Sequence, residues 1–457
     1  MKINKISEYI YEIEKEPGMN VPARIFASEK LLEDMKKDKT LTQIKNVAKL
    51  PGILNASMVM ADGHQGYGFP IGGVAGFDLN KGIISPGGVG YDIDCSVRLL
   101  KTNLKRKDIK GKEKEIIHSL FRTVPSGVGR GGKINLSKKD LDDVLKLGAE
   151  WAVINGYGDK EDLKHLEENG RLKDCNPDDV SERAKKRGIG QLGTLGSGNH
   201  FLELQFVDEV FDLKKANEFG LEKDQVMIMI HCGSRGLGHQ IADDYIKLIE
   251  KEYGWPEFDR ELVNAPIKSK LGKKYLSAMN CGANFAFANK QVITHLVREN
   301  LKHYFPNLKA DVVYEVCHNI AKVEEHNING KKKKILVMRK GATRSFPNQP
   351  VIIPGSMGTS SYLLVGTKQA LDLTFGSTGH GAGRVKSRTE ARKTISPEKV
   401  KKEMKEKGIE LETANYREVV EEASEAYKDI DEVVKVSHEN NIGNLVVRLK
   451  PIGVVKG

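Results

Sequence analysis

Three glycine-rich segments, each joined to a strand-like apolar run, constrain the fold of this chain most strongly. They are QLGTLGSGNHFLELQFV at 191–207, VMIMIHCGSRGLGHQIADDY at 226–245 and IIPGSMGTSSYLLVG at 352–366. No repeat of fixed period and no Pro/Ser-rich linker separates them, which argues against a string of modules. If the segments converge on one site, residues 1–457 form a single large domain. We predict an α+β fold with mixed β-sheets and peripheral helices.

Four other stretches share interleaved acidic and basic residues, a pattern typical of solvated helices. They are 1–50, 106–122, 138–155 and 386–440. A Lys/Asp/Glu-rich stretch at 158–187 is predicted to form an exposed helical excursion. The run KKKK at 331–334 lies between two strand-like runs and is predicted to mark the tip of a hairpin.

The charge balance favours a polyanionic partner. Lys and Arg number 73 against 62 Asp and Glu, which gives a net charge of +11. Cations of this kind bind nucleic acid by releasing counterions from its phosphates, although a basic chain can also be merely soluble. The five cysteines form no C-x-x-C pair, which favours a reducing compartment. With no signal-peptide core and no long apolar run, we expect a cytoplasmic protein without a membrane partner.

The segment GYDIDC at 90–95 could place metal ligands at a turn. Asp92 and Cys95 follow a Pro-Gly-Gly sequence, where the backbone can bend tightly. A carboxylate and a thiolate three residues apart converge on one cation only if the chain turns between them. A capped turn around a small buried cysteine remains the alternative for this segment alone.

Three histidines stand at the ends of apolar runs, where a strand would hold a metal ligand rigidly. They are His200 before FLELQFV, His231 after VMIMI and His318 after DVVYEVC. Adjacent strand residues face opposite sides, so we expect the histidines to face the site and Cys232 and Cys317 to pack behind them.

A thiolate, three imidazoles and a carboxylate suit zinc, manganese, iron or cobalt. Five ligands exceed what one tetrahedral zinc needs, and two metal ions sharing a ligand are therefore predicted. Each of these histidines taken singly is more often a structural residue than a ligand.

The segment STGHGAGRVKSR at 377–388 could bind phosphate. His380 lies among glycines whose N–H groups can approach an anion, and Arg384 and Arg388 follow it. Histidine can also act as a nucleophile toward phosphorus. The loop IIPGSMGTSS at 352–361 could contact phosphate or a base.

Two familiar nucleotide motifs are missing from the sequence. The K-x-D-G motif of lysine-dependent polynucleotide ligases is absent. GVGRGGK at 127–133 has the spacing of a P-loop, but Ile134 stands where Ser or Thr should bind magnesium. We interpret this segment as a flexible or anion-contacting loop.

Seven segments and a penultimate lysine occur here in the order found in one family. They are ADGHQGYGFPIGGVA, PGGVGYDIDC, LGSGNHFLE, HCGSRGLGHQ, CHN, PGSMGTSSY and HGAGR. From about residue 50 to its C-terminus the chain therefore resembles the RtcB RNA ligases of tRNA splicing and RNA repair. Three positions depart from the family pattern: Asp94 replaces an uncharged residue, Ser96 replaces glycine, and Gly379 stands where cysteine is common. None is a proposed ligand or nucleophile.

The resemblance implies how the site works. Two Mn²⁺ ions would be held by Asp92, Cys95, His200, His231 and His318, with Cys95 bridging them. His380 would take GMP from GTP and pass it to an RNA 3′-phosphate, which is formed by opening a 2′,3′-cyclic phosphate where the RNA carries one. A 5′-hydroxyl end would then displace GMP. The RNA would be broken tRNA or tRNA exon halves, and an archease-type activator is a further partner known in the family.

The resemblance also implies the nucleotide and RNA contacts. The guanylate pocket would be formed by Asn199, Glu203, Asn319, Pro354, Gly355, Ser356, Met357, Ser361, His380, Ala382, Gly383, Tyr427 and Lys456. Glu203 would accept hydrogen bonds from the guanine N1–H and N2–H₂ groups. Arg235, Arg384 and Arg388 would bind RNA phosphates.

Two rival functions and one structural alternative stay open. A metal-dependent phosphoesterase would use the same ligands but give His380 and Lys456 no role. A catalytically silent RNA-binding protein would explain the charge but not the ligand set. Without the resemblance, Lys456 and Gly457 would be interpreted as an exposed, frayed tail whose loss leaves the fold intact.

Overall fold

The computed structural model describes residues 1–127 and 129–457. Its strands are β1 (Ile3–Ser7), β2 (Ile10–Ile13), β3 (Ala23–Phe26), β4 (Ile53–His64), β5 (Ile71–Asp78), β6 (Ile83–Ile84), β7 (Ser96–Lys105), β8 (Phe201–Val210), β9 (Gln225–Cys232), β10 (Ala265–Pro266), β11 (Ala310–Cys317), β12 (Asn319–Ile328), β13 (Lys331–Lys340), β14 (Ala342–Arg344), β15 (Pro350–Ile353), β16 (Ser361–Val365), β17 (Ser377–Gly379), β18 (Glu410–Thr413) and β19 (Asn444–Lys456).

The α-helices are α1 (Glu29–Lys36), α2 (Thr40–Val47), α3 (Arg106–Ile109), α4 (Glu113–Thr123), α5 (Lys138–Leu147), α6 (Ala149–Ile154), α7 (Lys160–Lys164), α8 (Glu182–Gly188), α9 (Leu213–Phe219), α10 (Arg235–Tyr253), α11 (Lys270–Lys302), α12 (Lys368–Thr374), α13 (Arg388–Thr394), α14 (Pro397–Glu406), α15 (Tyr416–Val419) and α16 (Ile430–Glu439). Within the described residues no helix is both long and apolar enough to cross a membrane.

Two sheets of mixed direction organise the chain, which confirms the predicted α+β class. The N-terminal sheet has the order β1-β2-β3-β4-β5-β13-β12, and only its β3–β4 pair is parallel among the described residues. The central sheet has the order β11-β7-β9-β8-β19-β16-β15, and β18 adds to β19 in parallel. The last strand of the chain, β19, therefore lies inside the central sheet between β8 and β16.

The longest helix, α11, belongs to the core and not to the periphery. Ser269 caps its first turn by accepting a hydrogen bond from the Gly272 N–H group. Phe285 and Phe287 are fully buried along it, and so is Lys290. The larger cluster of buried apolar side chains runs from Tyr11 near one end of the sequence to Val455 near the other.

The prediction that residues 1–50 are helical is wrong for its first half. Residues 3–26 form β1, β2 and β3, and helix begins only at α1. The segment IYEI buries Tyr11 and Ile13 and leaves Ile10 and Glu12 partly exposed. Its burial thus alternates with period 2, which is the period of a strand and not of a helix.

The other local predictions mostly hold. Helices α3 to α6 occupy 106–122 and 138–155, and 386–440 contains α13 to α16 together with the short strand β18. Residues 158–187 contain α7 and most of α8, and bury Asp162 and Glu167. The hairpin β12–β13 turns at Asn329 and Gly330, both with positive φ, while the lysines at 331–334 begin β13.

Candidate active site

Four of the predicted ligands lie at one end of the central sheet because their strands are neighbours. Cys95 directly precedes β7, His200 directly precedes β8, and His231 is the next-to-last residue of β9. The register pairs His231 with Phe201, the neighbour of His200. His318 follows β11, which pairs with β7 on the other side. Because neighbouring strands are antiparallel, the start of one strand lies beside the end of the next, and these side chains meet at the same end of the sheet.

The turn before β7 brings in the fifth predicted ligand, Asp92. The Cys95 N–H group donates to the Asp92 carbonyl oxygen at 3.0 Å, which closes the turn. Asp92 Oδ2 then lies 2.7 Å from His200 Nε2. The carboxylate and the thiol therefore point toward the same space.

The five side chains form two triads that share the thiol. Cys95 Sγ lies 3.1 Å from His231 Nε2 and 3.6 Å from His200 Nε2, and the Nε2 atoms of His231 and His318 are 3.3 Å apart. Within each triad, Cys95–His231–His318 and Asp92–Cys95–His200, the potential ligand atoms lie within 4.8 Å of one another. This arrangement can hold two neighbouring cations with the sulfur between them.

Burial sets the protonation of these groups. It lowers the pKa of His231 and His318 well below the usual value, so that both imidazoles are neutral and carry a free lone pair. Burial would raise the pKa of Asp92, but His200 lowers it to about 2. Burial and the Asp92 carboxylate raise the pKa of the Cys95 thiol to about 12. A cation binding here would displace that proton.

The two neighbouring cysteines pack behind the site, as strand alternation predicts. Cys232 Sγ lies 3.1 Å from the Leu195 carbonyl oxygen and 3.9 Å from Nδ1 of His200. The Cys317 backbone N–H group donates to the buried Glu167 carboxylate at 2.8 Å. Neither cysteine belongs to the triads formed by the described residues.

His380 lies beside the cluster of potential metal ligands and is anchored by a residue that the sequence analysis missed. Its ring centroid lies 4.8 Å from that of His318. Asp62 Oδ2 accepts hydrogen bonds from His380 Nδ1 at 2.5 Å and from the His380 backbone N–H group at 2.8 Å. Burial would raise the pKa of Asp62, but the adjoining His380 holds it below its usual value. Asp62 thus fixes the ring and leaves Nε2 as the free nitrogen.

A cavity of about 870 Å³ contains most of the residues that the resemblance assigns to the guanylate. The assigned residues lining it are Asn199, Asn319, Pro354, Gly355, Ser356, Met357, His380, Ala382, Gly383, Tyr427 and Lys456, and Asp92, Cys95, His231 and His318 share its wall with Arg384 and Arg388. The nucleophile candidate, the potential ligands and two arginines thus face one space.

Glu203 and Ser361 lie just behind this wall. Gln205 Nε2 donates to Glu203 Oε2 at 2.6 Å and to Ser361 Oγ at 3.2 Å, and Ser361 Oγ accepts from the Gly355 N–H group at 3.1 Å. Burial raises the pKa of Glu203 to about 7. The carboxyl group is therefore close to the cavity but turned into a buried hydrogen-bond network.

The interpretation of Lys456 and Gly457 as an exposed tail is wrong. Lys456 is the last residue of β19, pairs with Phe201 and is 3% exposed. Its Nζ donates to the carbonyl oxygens of Gly198 at 2.7 Å and His200 at 3.2 Å. The end of the chain therefore supports the backbone that presents a potential metal ligand.

A second missed carboxylate, Glu422, gathers the polar groups on the far side of the cavity. It accepts a hydrogen bond from the Tyr427 hydroxyl and lies 3.4 Å from Arg384 Nη1 and 3.8 Å from Lys456 Nζ. Burial would raise its pKa, but Lys456 and Arg384 lower it. The sequence run VVEEAS does not distinguish it from Glu421, which is also buried but pairs with Arg392 and does not line the cavity.

Arg388 and Arg235 differ in setting. The Arg388 side chain is 58% exposed and pairs with Glu421 at 3.4 Å. Arg235 has a φ of 56°, in the left-handed region, and its Nε donates to Thr194 Oγ1 at 3.2 Å. A Cβ on Gly196 would collide with the Arg235 guanidinium, so glycine is needed there for this close approach.

The three departures from the family pattern have identifiable surroundings. Asp94 is fully buried with a φ of 52° and lies 3.7 Å from Lys290 Nζ, and burial raises its pKa to about 7. Ser96 Oγ donates to Glu315 Oε1 at 3.2 Å. A side chain at Gly379 would begin 3.1 Å from Asp62 Oδ1, and it would therefore adjoin the anchor of His380.

The segment 127–133 includes Val128, which lies outside the described residues. Around it, the Gly127 N–H group donates to Gly196 O at 2.8 Å and the Gly132 N–H group donates to Gly190 O at 2.7 Å. The segment follows helix α4 and not a strand, in keeping with its rejection as a P-loop.

Comparison with known proteins agrees with the motifs and the fold. A family model described as tRNA-splicing ligase RtcB matches residues 43–457. The chain is 52% identical over 476 aligned positions to the tRNA-splicing ligase RtcB of Thermococcus kodakarensis, covering 100% of this chain and 99% of that protein. It is 51% identical to the RtcB of Nanoarchaeum equitans, with 100% of both chains covered, and 50% identical to that of Archaeoglobus fulgidus, with 100% and 99% covered. The chain belongs to the RtcB family.

Proposed function

We propose that this chain is a GTP- and manganese-dependent RNA ligase. It joins RNA 2′,3′-cyclic phosphate or 3′-phosphate ends to 5′-hydroxyl ends through a guanylylated histidine. One observation carries the proposal: Asp62 binds Nδ1 of His380 while the ring lies against His318 at the edge of the potential metal cluster. A phosphoesterase without a nucleotide cofactor gives this anchored histidine no role.

Two Mn²⁺ ions fit the donor set on chemical grounds. Three imidazoles, one thiol and one carboxylate converge through atoms that can all donate lone pairs. Asp92, Cys95 and His200 would hold one ion, and Cys95, His231 and His318 the other. When bound, the ions neutralise phosphate charge and orient attacking oxygens.

His380 performs the first transfer in this proposal. With Nδ1–H donated to Asp62, Nε2 carries the lone pair that attacks the α-phosphorus of GTP. A P–N bond forms, the bond to the bridging oxygen of pyrophosphate breaks, and Nδ1 keeps its proton. The Asp62 carboxylate then faces the positive charge that develops on the ring.

Two further displacements complete the joining. An oxygen of the RNA 3′-phosphate attacks the guanylyl phosphorus, and the electron pair of the P–N bond returns to Nε2. The 5′-hydroxyl oxygen of the second RNA attacks the 3′-phosphorus and loses its proton to solvent, while GMP leaves with its bridging oxygen. A cyclic phosphate end is first opened by water to the 3′-phosphate.

The substrate, the activating partner, the compartment and the domain organisation follow as proposals of the same kind. Broken tRNA or tRNA exon halves are the substrates, consistent with the name of the relatives, and an archease-type activator is a candidate partner. The five cysteines are free in the described structure, which supports a reducing, cytoplasmic setting. A core cluster reaching from Tyr11 to Val455 supports one domain over residues 1–457.

Labelling with α-³²P-GTP and Mn²⁺, followed by denaturing electrophoresis, tests the proposal. The wild-type chain should retain covalent label, and His380→Ala should not, because alanine offers no atom to phosphorus. His438→Ala, which changes an exposed histidine in the last turn of α16, is the matched control and should label normally. Unlabelled wild-type protein would favour the phosphoesterase or the silent RNA-binding protein.

A second reaction separates a nucleophile from a bystander. His380→Ala should still seal RNA whose 3′-phosphate already carries GMP, because that step needs no protein nucleophile. If His380 only binds phosphate or metal, the variant should fail on this RNA as well. A variant that still acquires GMP refutes the assignment outright.

A further inference from the structure

A row of neighbouring aromatic rings begins beside the potential metal ligands. His239 on α10 stacks on Tyr91, with ring centroids 4.9 Å apart and 28° between the planes. Tyr91 in turn meets Tyr67 at 5.5 Å. Tyr91 is the chain neighbour of Asp92, whereas the His239 side chain is exposed. The row therefore connects the edge of the candidate active site with the molecular surface.

The loop of Tyr67 contacts a segment that lies beside an exposed tryptophan. The Gly68 N–H group donates to Glu261 Oε2 at 2.9 Å, which holds the loop of Tyr67 against residues 260–262. The Arg260 guanidinium lies 4.6 Å from the centroid of the Trp255 ring, which is 49% exposed. We call His239, Tyr91, Tyr67 and Trp255 the aromatic track.

Two acidic residues near the track are paired with basic residues, which reduces their repulsion of a polyanion. Asp243 pairs with Lys247 at 2.7 Å, and Glu250 pairs with Arg260 at 2.7 Å. Arg235 lies one helical turn before His239 on α10. One guanidinium is therefore placed for a phosphate where the row of rings meets the metal-ligand edge.

Packing into the core does not account for the positions of the rings in the track. The phenol oxygens of Tyr67 and Tyr91 have no hydrogen-bond partner among the described residues, and these atoms are not among the buried unpaired ones. His239 and Trp255 gain little from the core, because His239 is exposed and half of Trp255 is exposed. Partly exposed rings combined with a cation are the usual means of binding unpaired bases without sequence preference.

We propose that the aromatic track binds unpaired nucleotides of the RNA substrate by base stacking, next to the reacting end. The inference rests on the proposed function, since it needs an RNA end at the Asp92 side of the cluster. Stacking on rings selects single-stranded over double-stranded RNA, because paired bases do not expose their faces. It also predicts tolerance of base identity.

Binding of a single-stranded, 5′-hydroxyl oligoribonucleotide containing 2-aminopurine tests the track in the presence of Mn²⁺ and without GTP. Wild-type protein should quench the 2-aminopurine fluorescence, because that base is quenched when it stacks. His239→Ala should weaken the Kd about fivefold to a hundredfold, the range for loss of one base–aromatic stack. His438→Ala, the exposed-histidine control, should bind like the wild type.

Tyr91 offers a matched pair of variants. Tyr91→Phe keeps the ring and should retain quenching, whereas Tyr91→Leu keeps bulk without a ring and should lose it. If Tyr91→Leu fails to fold by circular dichroism, the exposed His239 still decides the question.

Equal binding by wild type and His239→Ala overturns the inference. So does a His239→Ala protein that changes its oligomeric state but not its RNA affinity, since the track would then bind protein. If the wild type neither binds RNA nor acquires GMP, the proposed function itself fails. If the wild type binds RNA and acquires GMP, and the variants bind RNA equally well, only the aromatic-track proposal fails.

Discussion

Replacing Asp62 by asparagine is expected to slow guanylylation of His380 without removing the metal cluster. Asp62 Oδ2 accepts both the Nδ1–H and the backbone N–H of His380. The amide oxygen of asparagine can keep both hydrogen bonds. If the asparagine amide were turned over, its NH₂ group would face the backbone N–H group of His380, and two donors would oppose each other. The orientation with the amide oxygen toward His380 should therefore dominate. What asparagine removes is the negative charge.

The size of the effect follows from that charge. The backbone hydrogen bond is the same before and after attack, whereas the Nδ1–H bond strengthens as the ring becomes cationic. A hydrogen bond to a charged group contributes about 1.5–3 kcal/mol and a neutral one about 0.5–1.5 kcal/mol, so the difference is about 1–1.5 kcal/mol. At about 1.4 kcal/mol per factor of ten, Asp62→Asn should label about five to ten times more slowly. Asp62→Ala loses the whole bond and should be slower by about 10- to 150-fold.

Single-turnover labelling with α-³²P-GTP at saturating Mn²⁺ measures this rate directly. Asp372→Asn, an exposed aspartate on α12, is the matched control and should label at the wild-type rate. Bound manganese should be unchanged in Asp62→Asn, because Asp62 is not in either triad. Wild-type rates in both Asp62 variants would refute the anchoring argument, and a loss of bound metal would show that Asp62 acts through the cluster.

Three further predictions concern the ligands, the C-terminus and a buried ion pair. Cys95→Ala should abolish ligation and lower the manganese bound per chain in elemental analysis, and undiminished metal with full activity would contradict the bridging role. Deleting Lys456 and Gly457 should reduce GMP labelling and lower the free energy of unfolding by about 1.5–3 kcal/mol, because a charged donor to two buried carbonyl groups is lost. Unchanged urea unfolding and unchanged labelling would refute this prediction. Lys290→Met should cost about 3–5 kcal/mol in urea unfolding above pH 7, because it leaves the buried carboxylates of Asp94 and Glu315 without its positive charge. Adding Asp94→Asn should restore part of that loss, and simple addition of the two effects would contradict the prediction.

The potential metal ligands could be located from sequence because their placement depends on local rules. His200 and His231 adjoin apolar runs that become the neighbouring strands β8 and β9. Strand alternation then allows only one of His231 and Cys232 to face the site, and histidine is the commoner metal ligand. The turn that joins Asp92 to Cys95 is signalled by the glycines before it. None of these steps requires knowledge of the tertiary fold.

The anchors of the site could not be located in this way. Asp62 contacts His380 across more than three hundred residues, and its place in the segment ADGHQGYGFPIGGVA does not reveal this contact. Glu422 and its buried neighbour Glu421 look alike in the sequence, and only the fold turns Glu422 toward the cavity. Without the resemblance Lys456 would be assigned to a frayed terminus, whereas here β19 is inserted between β8 and β16. Long-range pairing of this kind overrides local composition.

The junction of the two sheets explains why the motifs are scattered along the chain. His318 alone separates β11 of the central sheet from β12 of the N-terminal sheet. One potential metal ligand therefore lies where the two sheets join. Asp62, the anchor of His380, lies on β4 of the N-terminal sheet, while Cys95 and His231 are set by β7 and β9 of the central sheet. The distance between the proposed nucleophile and the potential metal ligands is thus fixed by how the sheets join. The glycine-rich segments adjoin β4, β8, β9, β15 and β17, and they are scattered along the chain because the strands that meet at this junction are themselves far apart in sequence.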